Sequence, residues 1–116
     1  MENQHRKIKG YRELSQEEID LMNRIKEKGA ELLQLTAELQ GRLSTDEEVK
    51  LVAALRSVAG HKSMEDVPYN QHTGATDECI EYRRFYAAEP QRWAEIGKTN
   101  IELGIMALVR AVAQPA

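Results

Sequence analysis

"IELGIMALVRAVA" (residues 101–113) has Glu102 and Arg110 as its only charged residues, and on a helix it would be apolar on nearly every side. A helix apolar all round must be buried all round. A monomer of two or three helices can bury only one stripe of each, so the other face of this one is left to a partner, as contiguous apolar patches usually are. The stretch therefore predicts an all-α chain that associates through its C-terminal helix. Gly97, Gly104, Ala107 and Ala111 fall roughly on one side of that helix at spacings of seven, three and four. Such a line of small residues would let helix backbones approach closely.

A second feature, a seam that itself needs a partner helix, lies near the other end of the chain. Ser15 and Glu18 form an S-x-x-E capping box, so a helix begins near Gln16. From there Met22, Ile25, Gly29, Leu32, Thr36, Leu39 and Leu43 recur at alternating spacings of three and four, a narrow seam that needs a second helix against it. A break is expected at Gly41, with a second cap at Ser44 or Thr45 backed by Glu47 or Glu48. A further helix would then cover about 45–59, stopped by Gly60. Residues 60–76 have no period and contain Pro68 and Gly74, which predicts a loop or a mobile excursion. Asp77 can cap the next helix, Pro90 fits the first position of another, and the last runs to about Val112. The expected organisation is a single helical-hairpin domain over 1–116, with a leader (1–14) and a loop insertion (60–76).

The 116 residues carry a formal charge of −3, which disfavours long nucleic acid as a partner because such binding rests on many Lys/Arg contacts to phosphate. A small anion remains open. The single cysteine allows no internal disulfide, and no signal segment opens the chain, so a reducing cytosol is the expected compartment. No apolar run reaches the ~18 residues that would read as a membrane span.

Few residues suggest chemistry. His61 and His72, with Glu65 and Asp66 between them, match no metal-ligand spacing, and "GHKS" (60–63) lacks the first glycine of a phosphate loop. Cys79 has no evident base partner, so nothing specifies an enzyme, a metal or a cofactor. Two groups stand out. Tyr11 sits in a leader where Arg6, Lys7, Lys9 and Arg12 face only Glu2 and Glu13, and where Gly10 frees the backbone beside the ring. Lys98 and Thr99, in "GKTN" (97–100), interrupt the apolar run of the last helix. Each also has an ordinary reading, a solvated leader for the first and a polar rim on a helix bundle for the second.

"GYRELSQEEIDLMNRIK" (10–26) and "RWAEIGKTNIELGIMALVRAVAQP" (92–115) resemble the phage anti-CBASS sponges. These small proteins defeat CBASS immunity by sequestering cyclic oligonucleotides. The resemblance does not extend to residues 60–86. It implies a homohexamer, a trimer of dimers, acting without cleavage in the cytoplasm of the infected bacterial host. It also implies two kinds of pocket. One, for cyclic dinucleotides such as 3′,3′-cGAMP, falls on Tyr11 and Lys26, with Gly10 and Arg12 beside them. The other, for cyclic trinucleotides, falls on Lys98 and Thr99.

A related branch traps a cyclic ADP-ribose isomer of Thoeris immunity, which is the alternative ligand. A helical bundle that binds only protein is the alternative from another class. A cyclic dinucleotide presents two charges and two π faces, for which a tyrosine and a lysine are apt partners. Lys26 lies roughly 16 Å along its helix from the N-cap at 1.5 Å per residue, so a pocket shared between protomers would bring it to Tyr11 more readily than one chain could.

Overall fold

The computed structural model describes residues 12–115. The described chain is all-α: α1 (Gln16–Ser57), α2 (Asp77–Ala88) and α3 (Pro90–Ala113). Outside the helices, the described residues form a single isolated bridge, Lys62 to Pro68. By its contacts the chain divides into two compact units, one taking residues up to Thr36 and from Ile96 onward, the other Ala37–Glu95.

In the first unit α1 starts where its capping box places it. The Ser15 hydroxyl accepts from the Glu18 amide at 3.2 Å, and the Glu18 carboxylate accepts from the Ser15 amide at 2.9 Å. The seam then meets α3, most closely at Gly29, which is buried. A Cβ there would overlap the Cδ1 and Cγ1 atoms of Ile105. Gly97 and Gly104 have open space at the same position, so among these glycines the close approach is made by Gly29 of α1. Nor does the chain bury α3 all round. Leu103 is 57% exposed, Met106 67% and Leu108 56%.

The expected break at Gly41 does not occur. α1 runs unbroken through Gly41, Ser44 and Thr45. The hydroxyls that were to cap a second helix are used otherwise: Thr45 donates to the Gly41 carbonyl at 3.3 Å, and Ser44 accepts from the side-chain amide of Gln91 on α3 at 3.1 Å. The same Gln91 amide donates to the Gln40 carbonyl at 2.9 Å. Nothing lies within 4 Å of a Cβ built on Gly41. These two glycines make a paired prediction. Gly41→Ala should raise stability by about 0.5–1 kcal/mol through helix propensity. Gly29→Ala makes the same gain but overpacks Ile105 at a cost of about 1–3 kcal/mol, so its melting temperature should fall.

The second unit has its own small core of Ala54, Val58, Cys79 and Tyr82, with Leu51 packed against it. Residues 58–76 lie between α1 and α2 as a loop, the expectation over 60–76, and the loop is held by specific hydrogen bonds. Gly60, at φ 81°, turns the chain out of α1, and Ser63 and Tyr69 donate their amides to Val67 and His61 at 2.9 and 3.2 Å. The Asn70 carboxamide then accepts from the amides of His72 and Thr73 at 2.8 and 3.2 Å. Buried Gly74 packs where a Cβ would strike Cys79 Sγ and Val58 Cγ1.

α2 is capped by Thr76 and not by Asp77, the hydroxyl accepting from the Cys79 amide at 3.1 Å. It ends at Glu89 in the left-handed conformation (φ 49°), and Pro90 opens α3 as expected. Lys50 ties α1 to α2 through Glu81 at 2.9 Å and lies over the Phe85 ring.

Candidate ligand-binding site

Gly10 and Tyr11 lie outside the described residues. Arg12, the third leader residue assigned to a ligand, is occupied within the chain. Its Nε donates to the Ala113 carbonyl at 2.9 Å and its Nη2 to the Val112 carbonyl at 2.8 Å, while Nη2 also pairs with the Glu18 carboxylate. The last carbonyls of a helix have no partner inside it, and a cation there also opposes the negative end of the helix dipole. Arg12 thus serves as the C-terminal cap of α3.

Glu18 is shared between this pair and the capping box. The Arg12 guanidinium first, and then the Ser15 amide, lower its pKa from 4.5 to about 2. In the second unit Arg84 first, and then Lys50, lower Glu81 to about 2 as well. A carboxylate whose folded pKa is depressed stabilises the fold above its unfolded value, and that contribution is lost as the pH falls through the folded value. The protein should therefore hold its melting temperature down to about pH 4.5 and lose it progressively toward pH 2. Glu18→Gln and Glu81→Gln should each flatten that loss in thermal melts across this range.

Lys26 is exposed and has no ion-pair or hydrogen-bond partner among the described residues. Met22 and Leu33, four before it and seven after, share its flank of the seam. Lys98 is half-buried and also unpaired among the described residues. On α3 it precedes Ile101, Ile105 and Leu108 at spacings of three, four and three, so it stands in the row that faces α1. Thr99 is exposed and falls one step round, in the row of Leu103 and Met106. The two residues assigned to one pocket therefore project in directions about 100° apart. Both lysines belong to the first unit.

That unit also holds a feature that the reading of single residues did not reach, an open groove of about 430 Å³ between α1 and α3. It is walled by Leu21, Ile25, Leu32, Ile101, Ile105 and Leu108, floored at Gly29 and Gly104, and bordered by Arg24 and Lys28. Its signal in the sequence was the i, i+4 pair of cations beside the seam, at Arg24 and Lys28. In the second unit, His72 meets Tyr82 and Tyr86 edge-on, with ring centroids 6.0 and 6.2 Å away. His61 stands apart from this cluster, its amide and carbonyl engaged in the loop.

The described residues thus define a small all-α protein whose first unit carries two lysines unpaired among them and an open apolar groove. No protein-family model matches it. It is similar to anti-CBASS protein 2 of Pseudomonas phage JBD67, being 59% identical over 115 residues that span 99% of this chain and 97% of that protein. The chain belongs to the anti-CBASS protein 2 family. A match of that span includes residues 60–86, where the two terminal motifs gave no resemblance. No helix among the described residues is long and apolar enough to cross a membrane.

Proposed function

We propose that this protein is a phage anti-CBASS sponge. It binds cyclic oligonucleotide second messengers in the infected host cell and holds them uncleaved, so that the CBASS effector is never activated. The observation that carries this reading is 59% identity, over 99% of this chain, to a phage anti-CBASS protein. The chemistry of the first unit supports it. Lys26 and Lys98, unpaired among the described residues, would offer ammonium groups to phosphate oxygens, and charge-assisted bonds of that kind are among the stronger polar contacts. The exposed Leu103, Met106 and Leu108 support an oligomer, in which pockets between protomers would bring together groups that one chain holds apart.

The test follows the ligand. The protein is incubated with 3′,3′-cGAMP, freed of unbound nucleotide, and heat-denatured. Recovery of intact cGAMP is expected. Linear product in its place would mean an enzyme, and no nucleotide retained before heating would leave a helical bundle that binds protein alone. The same protocol with a cyclic trinucleotide and a cyclic ADP-ribose isomer defines the range of messengers taken.

A further inference from the structure

A pocket of about 270 Å³ lies in the second unit, at the C-terminal end of α2. Phe85, Tyr86 and Glu89 line it from α2 and its cap, Gln91 and Arg92 from the first turn of α3, and Glu47 from α1. Two of these side chains are braced by neighbours. Tyr82 stacks on the Tyr86 ring with centroids 6.1 Å apart and His72 meets it edge-on, yet Tyr86 remains 61% exposed. The Gln91 amide nitrogen is held by the Gln40 carbonyl and the Ser44 hydroxyl, while its side-chain oxygen has no partner among the described residues.

The charges around this pocket do not cancel. Lys50, over the Phe85 ring, pairs with Glu81 at 2.9 Å, and Arg92 pairs with Glu89 at 3.3 Å while lying over the Trp93 ring. Glu47 is exposed and has no hydrogen-bond or ion-pair partner among the described residues. The end of α2 adds to the imbalance. Its last turn holds no basic residue, although the C-terminal end of a helix carries a partial negative charge that a cation stabilises. In a continued helix the Tyr86 carbonyl would meet the amide of residue 90, but Pro90 has none, and the cap supplies the Glu89 amide instead. An exposed aromatic face beside one unmatched carboxylate and an uncapped dipole is a setting for a single cation.

We propose that this pocket receives the guanidinium of an arginine presented by a basic segment of a partner protein. A guanidinium stacks on aromatic faces, is more weakly hydrated than an ammonium and can pair with a carboxylate through two N–H groups, which suits Tyr86 and Glu47. The chain makes the same combination itself at Arg92, with the Trp93 ring and the Glu89 carboxylate. The volume falls below the roughly 300–1,000 Å³ of small-molecule sites, so the pocket fits one side chain delivered by another surface better than a whole free ligand. None of the residues assigned to a messenger takes part, so the site stands or falls apart from the sponge reading.

N-acetyl-arginine amide is titrated to millimolar concentration into the isotope-labelled full-length protein and followed by NMR, with its neutral isostere N-acetyl-citrulline amide and with free arginine run alongside. The arginine amide should shift the signals of Tyr86, Glu89 and Gln91 saturably. The citrulline compound, which keeps the shape and loses the charge, should not. Free arginine should bind more weakly, because its α-carboxylate would meet Glu47 and Glu89. Glu47→Gln and Tyr86→Ala should each weaken the arginine amide about two- to fivefold. Glu47 is exposed, so its variant leaves the core untouched, and its oligomeric mass should equal that of wild type. No saturable shift, an equal response to citrulline, or unchanged affinity in both variants would overturn the site. Free arginine binding as tightly as the amide would make the ligand an amino acid, and a Glu47→Gln protein of smaller mass would place another copy's arginine there. Either result would overturn the partner segment.

Discussion

Met106→Glu is expected to split the proposed oligomer while leaving the helices of each chain intact. Met106 is 67% exposed and the neighbouring Leu103 57% exposed, so in a lone chain the new carboxylate would be solvated and would cost the fold little. Placed at an interface the same carboxylate is desolvated without a partner, at a cost of several kcal/mol. Each 1.4 kcal/mol is about a factor of ten in association, so at micromolar concentration the variant should run at the mass of a smaller species in light scattering. Its circular dichroism should match wild type. A wild-type protein already at the mass of one chain would remove the premise. A Met106→Glu protein of unchanged mass would show that this face of α3 is not where copies meet. Ile105 gives the contrast, being half-buried against Gly29 inside the chain. A glutamate there should damage the first unit itself.

The difference between those two neighbouring positions was only partly legible in the sequence. The apolar density of residues 101–113 showed that α3 needs cover on several sides, but not which side the chain covers for itself. The capping box at Ser15 and Glu18, the stop at Gly60 and the start at Pro90 were legible because each is a local device, complete within a few residues. The second cap failed for the complementary reason. Ser44 and Thr45 with the glutamates behind them do spell a helix start, yet a helix already under way has no free amides for them to satisfy.

What carries α1 through that region is a polar continuation of its inner face. Gln40, Asp46 and Lys50 are half-buried in step with the seam, and Gln91 and Glu81 meet two of them from outside α1. A search for apolar periodicity passes over such residues. The place of the loop was legible from its lack of a period, but its internal contacts were hidden for a related reason. Asn70 organises its turn locally, but Gly74 is required by Cys79 and Val58, and Arg83 on α2 donates to the Gln71 and Gly74 carbonyls at 3.1 and 2.8 Å. Arg12 was the clearest case in the candidate site. Read among neighbouring cations it looked available to a phosphate, whereas the carbonyls it holds lie at the far end of the chain.

The two proposed pockets should prove separable by mutation. Lys26 lies on α1 beside Met22 and Leu33, and Lys98 lies in the α3 row that continues to Ile101 and Ile105, so the two ammonium groups are carried by different helices. Tyr11→Ala and Lys26→Ala should each weaken cyclic dinucleotide binding by about 1–3 kcal/mol, or roughly 5- to 150-fold, through a lost stacking face and a lost phosphate contact. Cyclic trinucleotide binding should survive both. Lys98→Ala and Thr99→Ala should do the reverse. Calorimetry with one ligand of each class on the four variants reads all of this together. Tyr11→Phe is the sharpest control, because it keeps the π face and removes only the hydroxyl, so stacking predicts near-normal affinity. If the phenylalanine variant binds as poorly as the alanine variant while its oligomeric mass is unchanged, the ring does not stack on a base, and the role given to Tyr11 is wrong.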